Sequence, residues 1–215
     1  MAASSPPAAL PPAERTVGQL VAESIRFYGD NFRRSLWIGL APAALAVLTP
    51  HLSRTLAVVL APTVYGALLS ASFAYASTLV LGIEPDRRRL VAAWLAGWLV
   101  FAPVTFLVLA FILPALAWLA ALGLVVPVIV AEPVAPRRAF RRAWALARAD
   151  YVHALGTLAT LAIVVFLTQT VLVFLLRGAG GAAIDTALFL ANAVISPLLF
   201  LGTALLYLDQ SARVK

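Results

Sequence analysis

The residues of this chain that could carry chemistry are nine carboxylates and two histidines, and the chain has no cysteine. Without cysteine there is no thiolate nucleophile, no disulfide and no cysteine-ligated metal. An active site needs an acid, a base, a nucleophile or a metal within hydrogen-bond reach. All nine carboxylates lie in the N-terminal tail or beside the ends of long apolar runs, and His51 and His153 are predicted on opposite sides of a membrane. We therefore expect no enzyme, no metal site and no cofactor.

The basic residues are unevenly distributed along the chain. Of the 16 Lys and Arg residues, all but Arg54 and Arg177 fall into clusters separated by uncharged runs: Arg15, Arg26, Arg33 and Arg34; Arg87, Arg88 and Arg89; Arg137, Arg138, Arg141, Arg142 and Arg148; Arg213 and Lys215. Basic loop residues are retained on the cytoplasmic side during membrane insertion. The clusters therefore predict a multi-pass membrane protein with both termini in the cytoplasm.

The composition leads to the same class of protein. The chain is 63% hydrophobic and 12% charged, whereas soluble domains average about 25% charged residues. The net charge of +7 could suggest nucleic acid, but the arginines flank apolar runs and do not line one polar face. Attraction to anionic lipid headgroups explains them better, so we expect lipid partners and no nucleic acid.

Six transmembrane helices in three hairpins are predicted from the lengths of the apolar runs. A bilayer core of about 30 Å needs about 20 apolar residues per helix. The spans fall near residues 36–52, 56–82, 91–113, 114–131, 152–176 and 187–208, with the chain folding back near residues 113–114. Residues 16–215 would form a single all-α membrane domain. Residues 1–15 lack the apolar region of a signal peptide and are predicted to be a disordered cytoplasmic tail.

Two segments have the pattern of amphipathic helices that lie at the membrane surface. The first begins at Thr16, which has capping-box spacing to Gln19. The second covers residues 136–150, where Phe140, Trp144 and Ala147 are predicted to face the membrane. The candidate lipid-headgroup contacts are the arginines of this second segment: Arg137, Arg138, Arg141, Arg142 and Arg148.

Three other residues are candidates for specific polar contacts. Glu132 ends the fourth predicted span and precedes the basic helix, so we expect a structural ion pair with Arg138 or Arg141; a role in gating or partner binding is the alternative. Gln169 and Asn192 fall at similar depth in the last hairpin. They are predicted to form an interhelical hydrogen bond, with a polar lining as the alternative.

Small residues recur every four positions in the second predicted span, at Gly66, Ser70 and Ala74. Small side chains at this spacing let two helix backbones approach closely. We expect packing within the chain, and a second subunit is the alternative.

Several motifs point to a family. Residues 128–132, an apolar strip ending in Glu132, precede the basic segment 138–146, and the chain closes with residues 203–209 followed by Arg213. This pattern resembles the membrane domain associated with glycerophosphoryl diester phosphodiesterases and related uncharacterised bacterial membrane proteins. Departures from the family pattern occur at Ala143, Ala149 and Ser211. The hydrolase of such proteins is a separate soluble barrel, so the resemblance implies no hydrolase activity in these residues.

The predicted function is therefore that of a non-enzymatic membrane protein. We expect a scaffold, accessory or membrane-tuning module of the bacterial cytoplasmic membrane, in contact with anionic lipids and open to an unidentified membrane or soluble protein partner. The alternative is a small transporter or permease-like subunit for lipids or amphiphiles. A deep polar cavity reaching the middle of the membrane would favour the alternative, and a filled bundle would favour the first hypothesis.

Overall fold

The computed structural model describes residues 11–178 and 180–214, without the side chains of residues 109 and 110. All regular structure in these residues is helical, which confirms the all-α fold class. Most of the tail predicted to be disordered, residues 1–10, lies outside the described residues. Its last part is ordered by contacts, because Pro12–Glu14 forms a 3-10 turn and Arg15 is held by Asp209.

The described residues form a bundle of eleven α-helices. In chain order they are α1 (Val17–Asp30), α2 (Phe32–Leu48), α3 (Arg54–Leu60), α4 (Gly66–Leu81), α5 (Arg87–Ala110), α6 (Ile112–Leu122), α7 (Val125–Ala131), α8 (Pro136–Ala149), α9 (Tyr151–Leu176), α10 (Gly181–Ile195) and α11 (Pro197–Arg213).

Five helical segments in the described residues are long and apolar enough to cross a membrane: Arg54–Leu81, Arg87–Val108, Ile112–Ala131, Tyr151–Leu176 and Gly181–Arg213. They are compatible with a multi-pass membrane protein, but the six predicted spans are not confirmed. The first predicted span corresponds to α2, which has 17 residues and carries Arg33 and Arg34 in its first turn. Its uncharged part, residues 35–48, would cover only about 21 Å, because the chain turns at Pro50.

Several of the long segments contain a break next to proline or glycine. α3 and α4 are joined by a π-helical turn, Ala61–Tyr65, that contains Pro62. In this turn Gly66 N–H donates to Ala61 O, five residues back, and not to Pro62 O. The indole Nε1 of Trp98 donates to Pro62 O at 2.7 Å instead, so a neighbouring helix satisfies the carbonyl that the irregular turn leaves free.

The small-residue stripe of the second predicted span packs inside the chain. Gly66, Ser70 and Ala74 are all buried in α4, and α4 packs along α5. A β-carbon at Gly97 of α5 would collide with the Ser70 side chain. Ser70 Oγ donates to Trp94 O at 2.6 Å across this contact, so the two backbones lie close together as small residues allow.

Helix α11 has many buried residues and organises the end of the bundle where Arg15 and Arg213 meet. It contacts α1, α2, α4, α8 and α9, and its Phe200 ring packs near Phe73 and Phe101. Helix α1 begins with the capping box predicted at Thr16 and Gln19, with both hydrogen bonds formed. We call this end of the bundle, defined by the contact between Arg15 and Arg213, the terminal end.

Candidate functional site

Helix α8 carries the predicted headgroup arginines, and one of its faces belongs to the core. Its alanines at 139, 143 and 147 and Leu146 have no exposed surface, and they pack against α6, α7 and α11. Because alanine side chains are short, the α8 backbone lies directly on the bundle. Ala147 therefore faces protein and not the membrane as predicted, whereas Trp144 is 47% exposed.

Packing the alanine face inward fixes where the arginines of α8 point. Arg137, Arg138, Arg141 and Arg148 are exposed, and Arg142 is half-buried at the edge of the packed face. Because the core holds the α8 backbone, these four exposed arginines all project from the outer side of the helix.

Glu132 pairs with Arg142, not with Arg138 or Arg141. Arg142 Nε donates to Glu132 Oε1 at 3.4 Å, and within the described residues no ion pair joins Glu132 to the other two arginines. Arg138 and Arg141 lie on the exposed side of α8, because the helix is rotated by the burial of Ala139 and Ala143. Position 142 is the one that reaches the carboxylate at the end of α7.

Glu132 has a second partner that the sequence did not suggest. Tyr207 of α11 donates its hydroxyl hydrogen to Glu132 Oε1 at 3.2 Å. The carboxylate oxygen therefore joins the end of α7 to both α8 and α11. The Glu132 side chain is 26% exposed and that of Arg142 is 37% exposed, so solvent screens this ion pair in part.

Gln169 and Asn192 lie together on neighbouring helices. Gln169 Nε2 donates to Asn192 Oδ1 at 2.7 Å, and Ser196 Oγ contacts the same oxygen at 3.3 Å. Asn192 Nδ2 donates to Leu188 O within its own helix. This arrangement is a hydrogen-bonded tie between α9 and α10, placed one turn before the break at Ser196.

A second polar cluster, which sequence reasoning missed, holds the terminal end together. Arg15 Nη1 donates to Asp209 Oδ1 at 3.3 Å, and the Asp209 side chain is fully buried. Arg213 binds the Asp150 carboxylate and donates from Nη2 to the backbone oxygen of Arg15 at 2.9 Å. Gln210 Nε2 donates to Asp150 O at 3.1 Å. We call Arg15, Asp150, Asp209, Gln210 and Arg213 the terminal cluster.

The imidazole Nε2 of His153 lies beside the terminal cluster without a hydrogen bond to it, and only the backbone N–H of His153 joins the cluster. Its Nε2 is 3.9 Å from Asp209 Oδ2, and within the described part of the chain neither atom has a hydrogen-bond partner. The N–H of His153 donates to Asp150 Oδ1 at 3.0 Å and caps the start of α9. A charge as deeply buried as Asp209 needs a paired cation, and Arg15 supplies it.

The sequence contained a partial signal for this cluster. Asp209 and Arg213 are four residues apart on one helix face, and Asp150 directly precedes a long apolar helix. Sequence reasoning places both carboxylates at the ends of apolar runs, and it identifies no partner for either of them. The contact that buries Asp209 joins residues 194 positions apart, and no local pattern reveals such a contact.

The contacts described at these sites position helices and pair charges. Among the described residues no group of three or more His, Asp or Glu side chains could hold a metal ion. A cavity in the core, lined by Phe73, Phe101, Leu158, Phe200 and Thr203 among others, has a volume of about 20 Å³. Such a space has room for about one water molecule.

No protein-family model, curated protein or solved structure matches this chain.

Proposed function

We propose that this protein is a non-enzymatic integral membrane protein of the bacterial cytoplasmic membrane that acts as a scaffold, accessory or membrane-tuning module. The observation that carries the proposal is the fixed basic surface of α8. Its buried alanine face holds the helix on the bundle, and Arg137, Arg138, Arg141 and Arg148 are exposed on its outer side. Such a surface attracts anionic lipid headgroups, each basic residue contributing about 1 kcal/mol.

The proposal includes six membrane crossings with both termini in the cytoplasm. The arginine clusters support this orientation, since basic loops stay on the cytoplasmic side. In this arrangement α2 and its following turn, Thr49–His51, act as the first and shortest crossing.

The test of the α8 surface uses the full chain in vesicles of mixed phosphatidylglycerol and phosphatidylcholine. Polymer extraction removes the protein together with the lipids around it. The ratio of phosphatidylglycerol to phosphatidylcholine in the extract is then compared with the ratio in the whole vesicles. Phosphatidylglycerol should be enriched around the wild type, less so as salt rises. Exchanging the four exposed α8 arginines for glutamine should remove most of the enrichment.

The matched control exchanges Arg54 and Arg177 for glutamine, since both lie away from the basic clusters. This control should keep the enrichment. Equal enrichment around the wild type and the α8 variant would contradict the proposal. Mass spectrometry of proteins that copurify in mild detergent would then identify any membrane or soluble partner, and loss of that partner in the α8 variant would assign it to the same surface.

A lipid or amphiphile transporter is the second candidate function. Open apolar grooves on the sides of the bundle favour it: one between α2 and α4 has a volume of about 610 Å³, and one between α4 and α5 about 560 Å³. The small cavity in the core favours the scaffold. Movement of fluorescent lipid between vesicle leaflets, measured with and without the protein, separates the two functions.

A further inference from the structure

The groove between α2 and α4 is a shaped apolar trough. Residues of both helices line it: Trp37, Leu40, Ala41, Ala44, Leu68, Ala71, Ser72 and Tyr75. Its volume is about 610 Å³. Three of these residues are alanines, whose short side chains leave space between the larger ones. Trp37 is 68% exposed, so the trough opens sideways, toward the surroundings of the bundle.

A positive charge lies at one end of this trough. Arg33 is four residues before Trp37, so both lie on one helix face, and the groove continues along that face through Leu40 and Ala44. Arg33 is exposed. Within the described part of the chain neither Arg33 nor Arg34 forms an ion pair. An available cation therefore lies about one helical turn beyond an apolar trough.

The neighbouring groove between α4 and α5 shows what distinguishes this one. It is similar in volume and shares Ala71 and Tyr75, but Glu84 belongs to its lining. A carboxylate at that position repels an anionic headgroup. The described lining of the α2–α4 groove carries no charged residue, so nothing in it repels an anion and Arg33 lies beyond its end.

We propose that the α2–α4 groove binds an anionic glycerophospholipid, with the phosphate at Arg33 and one acyl chain along the trough. From Trp37 to Ala44 the helix rises about 10 Å, which is enough to hold the upper part of an acyl chain. Trp37 lies between Arg33 and the alanines of the groove along α2, which is the order expected for an amphipathic ring at a membrane surface. The inference rests on the membrane location in the proposed function, but not on α8.

The experiment uses the full chain in mild detergent, supplied separately with phosphatidylglycerol and phosphatidylcholine, and counts bound lipids by native mass spectrometry. The wild type should retain phosphatidylglycerol in preference. Arg33→Gln should lower that retention about fivefold, the size expected for one arginine at an anionic surface. It should lower phosphatidylcholine retention less, because the choline cation offsets the phosphate charge. Ala41→Leu with Ala44→Leu fills the trough and should lower retention of both lipids.

Two controls match these variants. Arg54→Gln removes an exposed arginine elsewhere, and Ala187→Leu with Ala191→Leu fills a groove between α9 and α10 that has no basic residue in its described lining. Both should retain phosphatidylglycerol as the wild type does. Equal retention of the two lipids by the wild type would overturn the inference, as would an equal loss in Arg54→Gln. If the α8 variant lost the lipid enrichment described above and Arg33→Gln retained phosphatidylglycerol as the wild type does, the proposed function would be supported and this groove site would be excluded.

Discussion

Gly39 of α2 lies directly against the backbone of Ala193 in α10, at a separation that leaves no space for a β-carbon. Pro197 follows four residues after Ala193 and has no N–H, so the Ala193 carbonyl lacks its usual helical donor. Gly39 of α2 therefore packs against the Ala193 carbonyl of α10, which is left without a helical donor by the break between α10 and α11. Only glycine permits this approach.

The first prediction concerns this contact. Gly39→Ala should lower the melting temperature in detergent, because overpacking of a tight contact costs about 1–3 kcal/mol. The control is Gly18→Ala in α1, where a β-carbon meets nothing within 4 Å. That control should be neutral or stabilising by up to about 1 kcal/mol. Equal melting temperatures for the two variants would mean that α2 does not pack on α10 in this way.

The second prediction concerns the buried pair of Arg15 and Asp209. Arg15→Gln should destabilise the protein by up to about 3–5 kcal/mol, because it removes the cation that is hydrogen-bonded to the buried Asp209 carboxylate. Combining it with Asp209→Asn should recover part of the loss. Thermal unfolding followed by tryptophan fluorescence measures both variants, and Glu14→Gln, at an exposed neighbouring position, is the control. Purely additive losses in the double variant would show that the two side chains do not interact.

The third prediction distinguishes the arginines of α8. Arg142→Gln should lower stability by up to about 1 kcal/mol, since the ion pair with Glu132 is partly exposed, and should make α8 more accessible to protease. Arg141→Gln should change neither quantity. Glu132→Ala should cost more than Arg142→Gln because it also removes the acceptor of Tyr207. Exchanging the charges at positions 132 and 142 should restore part of the lost stability.

An equal effect of Arg141→Gln and Arg142→Gln would contradict this assignment. A Glu132→Gln variant that is stable but has lost a cellular activity would indicate a functional role for that carboxylate in place of a structural one.

The fourth prediction concerns topology. The chain contains no cysteine, so single cysteines can be introduced without background. An impermeant thiol reagent added outside intact cells should label Ser53→Cys and Gly180→Cys, and should not label Arg88→Cys or Arg141→Cys. The physical reason is retention of basic loops in the cytoplasm. The reverse pattern of labelling would exclude the proposed orientation.

The sequence by itself determined the class of fold and the local features of its helices. Length and hydropathy are sufficient for long apolar helices, because a bilayer core requires about 20 apolar residues per crossing. Local spacing also predicted the capping box at Thr16, since its hydrogen bonds join residues three apart. The turn predicted near residues 113–114 is at Phe111, where the chain is extended between α5 and α6.

The hydrogen bond between Gln169 and Asn192 was predicted from the sequence, but the other contacts were decided only by the tertiary structure. The partner of Glu132 is Arg142, because burial of the alanine face sets the rotation of α8, and a sequence with arginines on several faces does not specify that rotation. Likewise, the buried Asp209 pairs with Arg15, which lies near the other end of the chain. Gly39 packs against the Ala193 carbonyl, which lacks a helical donor because Pro197 has no N–H. Hydropathy shows that a helix is apolar. Which of its side chains contact a neighbouring helix depends on how the two helices pack.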